Sequence, residues 1–162
     1  MNAAKMATRQ LLLGIGNSGR ADDGLGWAFA EAFSGQTDLF AVELRYQLQI
    51  EDALLISTYQ RVVIVDASVT VYDQGYSWSR CQPRRTDAFT THQLAPATVV
   101  YLAQELYQCT PEVYVLAISG VDWELRTGLS PTAERNLAKA RAFFGEKWEG
   151  DRNRKSEVGS RK

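Results

Sequence analysis

Apolar and polar positions along this chain repeat in two alternating modes, short continuous runs and helical spacings. RQLLLGIG (9–16) is an apolar run ending in glycines, the pattern of a strand buried on both faces. LGWAFAEAF (25–33) places Leu25, Phe29, Ala32 and Phe33 on one side of a helix. LFAVELRYQ (39–47) alternates as a strand, and IEDALLISTYQ (50–60) returns to helical spacing. RVVIVDAS (61–68) is the clearest buried strand, rich in β-branched residues and closed by Asp66. VYDQGYSWSRC (71–81) alternates aromatic and polar residues around Gly75. It follows the third strand too closely for a helical crossover, which predicts an antiparallel edge strand. HQLAPATVVYLAQELYQ (92–108) reads as a helix with Pro96 in its first turn, and EVYVLAISG (112–120) as the last central strand. SPTAERNLAKARAFFGEKW (130–148) reads as a helix with Ser130 as N-cap and Pro131 at the first helical position.

Strands alternating with helices predict an α/β fold. The expected form is a three-layer α/β/α sandwich whose twisted sheet has about five strands, mostly parallel, with one antiparallel edge strand. The pattern predicts one domain over 1–148. The remainder, 149–162, has no apolar period and carries five basic residues against three acids, which reads as a disordered tail.

Composition changes this picture little. The chain has 162 residues, 45% hydrophobic and 23% charged, with a net charge of −1. Such a balance gives no reason to expect nucleic acid as a partner. No apolar run approaches the ~20 residues of a membrane span. The opening MNAAKMATRQ is too short and polar for a signal peptide, and Cys81 and Cys109 lack metal or redox spacing. A cytoplasmic protein with free thiols is expected.

Sheets of this kind carry their sites at the carboxyl ends of the strands. Two polar features fall on that rim: the loop GIGNSGRADDG after the first strand, and Asp66. GIGNSG matches the dinucleotide fingerprint G-x-G-x-x-G, and Glu43 follows at a spacing suited to a ribose contact. Against that reading, the apolar helical period starts only at Leu25, and Asp22 and Asp23 put two negative charges where a pyrophosphate would sit. The competing reading is a metal loop. The only histidine, His92, begins the helix that precedes the last central strand, so its end reaches the same rim. Asp23, Asp66 and His92 then form an O/O/N donor set suited to Ni²⁺, Zn²⁺, Mn²⁺ or Co²⁺, with positions left open. Structural roles compete with these: Asp22 or Asp23 as cap of the helix beginning near Gly24, Asp66 as a solvated strand end, and Asn17 as a turn former.

In order along residues 9–145, GIGNSGRADDGLG, YQLQIEDALLIS, VVIVDAS, TTHQLAP and VLAISGVDWELRTGLSP resemble the hydrogenase maturation proteases. These peptidases trim the C-terminal extension from the large subunit of [NiFe] hydrogenases. The resemblance implies metal ligation by Asp23, Asp66 and His92, with Asp22 or Asp23 as the candidate general base. It implies that nickel is supplied by the substrate, a [NiFe]-hydrogenase large-subunit precursor, so that the purified protein is expected to be metal-free. A monomer is expected, with neither nucleic acid nor membrane as partner. The closing strand, VLAISGVDW, departs from the carboxylate or proline that many members carry there. Two other readings remain open at this point: a non-catalytic nickel-sensing assembly factor with the same ligands, and a nucleotide-binding protein using GIGNSG.

Overall fold

The computed structural model describes residues 10–36, 38–85 and 94–159. Five strands form one sheet: β1 (Gln10–Ile15), β2 (Phe40–Arg45), β3 (Arg61–Ser68), β4 (Tyr76–Arg80) and β5 (Glu112–Ser119). Four helices accompany them: α1 (Leu25–Glu31), α2 (Asp52–Ser57), α3 (Pro96–Tyr107) and α4 (Pro131–Gly159). The strand order is β2-β1-β3-β5-β4. All neighbours are parallel except β4, which runs antiparallel to β5. The short 69–75 connection forces that reversal, because a parallel return needs a crossover of a dozen or more residues.

Strand alternation divides the core into two layers. Leu11, Leu13, Ile15, Val62 and Ile64 face α2 and α3, packing on Ile56, Val99 and Ala103. Leu12, Val63, Val65, Leu116 and Ile118 face α1 and α4, packing on Leu25, Phe29, Leu137 and Phe144. Both faces of the sheet are therefore covered, which is why the central strands read as unbroken apolar runs. On the α4 side, Phe29 and Phe33 meet the Phe144 ring edge-on, with centroids 5.5 and 5.2 Å away.

Two boundaries differ from the sequence pattern. The helix predicted over 92–108 is described from Pro96, and 92–93 lie outside the described residues. The final helix does not stop at Trp148 but continues to Gly159, through residues the pattern assigned to a disordered tail. Arg, Lys and Glu in that stretch are good helix formers and extend a helix without any apolar face to announce it. Among the described residues, no helix is long and apolar enough to cross a membrane.

Candidate functional site

Strand order reverses between β1 and β3, since β1 leads outward to β2 while β3 lies on its other side. The crevice beyond the carboxyl ends of such a strand pair is where open α/β sheets bind ligands. Here it is bordered by the loop after β1 and by Asp66 near the end of β3.

The loop is a folded-back structure. Gly16 sits at φ +142°, and a Cβ there would collide with the Asp23 carbonyl oxygen. The Asn17 side chain accepts from the Gly19 N–H at 2.8 Å, the expected turn contact, and the Asn17 N–H donates to the Asp23 carbonyl at 3.1 Å. A 3-10 turn over Ala21–Gly24 follows, and α1 starts only at Leu25. Gly26 lies against the Ile15 and Val65 carbonyls, so α1 packs directly on the ends of β1 and β3. The glycines thus serve close packing and the return of the loop. GIGNSG does not open a helix, so no helix N-terminus faces a pyrophosphate at that motif. Glu43, the ribose candidate, is instead paired with Arg45 at 3.1 Å.

Neither acid caps α1: its N-cap is Gly24, with no side-chain cap bond. Asp22 is fully buried and has another task. Its carboxylate accepts from the Val121 and Asp122 N–H groups at 2.8 and 3.0 Å, and from the Ser130 N–H and Oγ at 2.7 and 2.8 Å. Those four donors occupy both oxygens, which leaves Asp22 no lone pair to take a proton from water. Asp22 as general base is therefore corrected: it is the clasp that binds the acidic turn to the 121–130 loop. Ser130 also accepts from the Ala133 N–H at 3.1 Å, so the predicted N-cap of α4 is the same residue that holds Asp22. Sequence reasoning found Ser130 as a cap but missed this link, because its partner lies more than a hundred residues away.

Asp23 and Asp66 come together. Burial raises the Asp66 carboxyl to about 6, against the pull of the Ala67 N–H, and the nearby Asp23 charge pushes it the same way. Asp23 is also raised, by burial, with Arg20 and the Asn17 N–H opposing. Two desolvated, mutually repelling carboxylates in a crevice suit a cation. Alternation along β3 turns Asp66, like Ile64, toward the α2–α3 layer. His92, the third expected ligand, lies outside the described residues. Among the described residues, no group of three His, Cys, Asp or Glu side chains is placed to hold a metal.

Beside Asp66 opens a cleft of about 240 Å³, lined by Ile15, Gln47, Leu48, Ile64, Leu94, Ala95 and Pro96. Around the same rim, Tyr46, Val69, Val71, Val121 and Leu125 are exposed in the loops that follow β2, β3 and β5.

The fold is shared with solved hydrogenase maturation peptidases. The maturating endopeptidase HybD from E. coli superposes with a TM-score of 0.65 at 21% identity, covering 84% of this chain and 89% of its own. The [NiFe] hydrogenase maturation protease HycI from Thermococcus kodakarensis gives 0.64 at 22%, covering 84% and 90%. A hydrogenase 2 maturation peptidase from a Thaumarchaeota archaeon gives 0.63 at 19%, covering 87% and 98%. No family model matches the sequence, and no curated protein matches it either.

Proposed function

We propose that this chain is an endopeptidase that removes the C-terminal extension of a nickel-loaded [NiFe]-hydrogenase large-subunit precursor. The observation that carries this reading is the Asp23–Asp66 pair in the β1–β3 crevice, in a fold whose solved neighbours bear that activity in their names. In this reading Asp23, Asp66 and His92 complete the coordination of the nickel that the precursor brings. Leu94, two positions after His92, lines the cleft beside Asp66. The bound ion supplies charge that neutralises the two carboxylates and polarises a nearby carbonyl.

The chain's own residues have separable tasks. Asp22 fixes the turn that presents Asp23. Asp66 follows the fully buried run Val62–Val65 of a central strand, so its position is set by the sheet. With both Asp22 oxygens engaged, Asp23 is the remaining candidate for activating water. The exposed apolar side chains of Tyr46, Val69, Val71, Val121 and Leu125 ring the site, which suits a protein substrate better than a small molecule. The assembly-factor reading would keep the same ligands without cleavage. The protein is proposed to work as a cytoplasmic monomer, metal-free until it meets its substrate.

The test is to incubate the purified protein with a precursor prepared with and without nickel, and to follow loss of the C-terminal peptide by mass spectrometry. Cleavage of the nickel-loaded form alone is expected. Asp23→Ala, Asp66→Ala and His92→Ala are each expected to abolish it while leaving the protein folded. Binding without cleavage would favour the assembly factor, and tight NAD(H) binding insensitive to Asp23→Ala would restore the nucleotide reading.

A further inference from the structure

The cleft beside Asp66 has a lining that the ligand set does not explain. Six of its residues are aliphatic or proline: Ile15, Leu48, Ile64, Leu94, Ala95 and Pro96. Its only polar residues are Asp66 and Gln47. Gln47 lies two residues beyond β2 and is half-buried. Its amide has no hydrogen-bond partner among the described residues, whereas its neighbours Arg45 and Asp52 are tied to each other at 3.2 Å. A primary amide offers two donors and an acceptor with two lone pairs. A peptide unit presents one N–H and one C=O, so a single such amide pairs with both.

We infer that this cleft is the subsite for a residue flanking the scissile bond, that it selects an aliphatic side chain there, and that Gln47 holds the adjacent peptide unit. The inference rests on the peptidase reading. Three features support it together. The walls carry no aromatic ring and no charge apart from Asp66, so branched or linear alkyl groups fill the cleft without stranding a polar atom. An acidic side chain would meet the Asp66 charge in a poorly solvated space. The amide of Gln47 is free to bind, and its place just past β2 lets it grip backbone while the side chain enters the cleft. Ile15 and Ile64 belong to the core strands, so the floor is rigid.

The experiment uses the full chain and a nickel-loaded precursor in which each residue flanking the scissile bond is changed in turn to Leu, Asp or Lys. At one of the two positions Leu is expected to be processed like the native residue, and Asp to lower kcat/KM by at least about 100-fold. Gln47→Met, of similar length but without the amide, is expected to raise KM about tenfold with kcat within about twofold. Equal processing of all flanking variants, or an unchanged KM in Gln47→Met, would overturn the inference while leaving the peptidase reading intact. Failure of the unmodified chain to cleave any nickel-loaded precursor overturns both. Should Gln47→Met not fold, the precursor series on the unmodified chain decides the matter alone.

Discussion

Replacing Asp66 with asparagine is expected to stabilise the metal-free protein while destroying its activity. In the unfolded chain this carboxyl titrates near 3.8, and in the fold it is raised to about 6. The folded state therefore holds its proton more tightly. Between those two values the fold binds more protons than the unfolded chain, so stability falls as pH rises. Above about 6 the full penalty of an ionised, largely desolvated acid beside Asp23 is present; below about 4 it is gone. A rise of that size corresponds to ~3 kcal/mol, at ~1.4 kcal/mol for each tenfold change in proton affinity. An asparagine keeps the shape, removes the charge and retains polar atoms that need partners, so a gain of about 2–3 kcal/mol at pH 8 is expected. For a chain of this size that is a rise in Tm of roughly 5–10 °C. Thermal unfolding followed by circular dichroism at pH 8 and pH 4, with chelator present, measures it. The gain should vanish at pH 4. An unchanged or lower Tm at pH 8, or the same gain at both pH values, would refute the claim that Asp66 is a strained acid relieved by a cation.

Asp22→Ala should behave in the opposite way: it strands four donors, and a loss of about 3–5 kcal/mol is expected in urea unfolding at neutral pH. Asp22→Asn should cost about half that, since its amide keeps one acceptor but turns an NH₂ toward donors. Gly26→Ala pushes a methyl group into the Ile15 and Val65 carbonyls, and should cost about 1–3 kcal/mol while shifting α1 away from the crevice, read as lowered Tm together with lowered processing. Phe144→Ala opens the aromatic cluster on the α4 face at a cost of about 3–5 kcal/mol, with no change in processing once the protein is folded.

The elements that position the candidate site are legible wherever one local signal dominates. Val62 to Val65 can only be a central strand, and Asp66 after them is therefore on the rim by pattern alone. The antiparallel edge is legible from a connection too short for a helix. Asp23 is legible as a partner for Asp66 because the delayed start of α1 leaves the acids in a loop. Asp22 is not, for nothing near it in sequence distinguishes a clasp from a base; the distinction lies in donors from 121–130. Gln47 belongs to no pattern, and only the cleft singles it out. The continuation of α4 past Trp148 is hidden because helix propensity without an apolar stripe looks the same as a solvated coil.

The Asp22 clasp also bears on when the crevice takes shape. Its donors come from residues 121–130, so a chain emerging from the ribosome lacks them until nearly all of it has been made. The early strands β1 to β3 can pair well before that, but the acidic turn stays untethered. Ring closures spanning such long stretches of sequence form late and slowly. A nascent or truncated chain ending before Ser130 would thus carry the carboxylates without their arrangement, and competence would arrive only with the final helix.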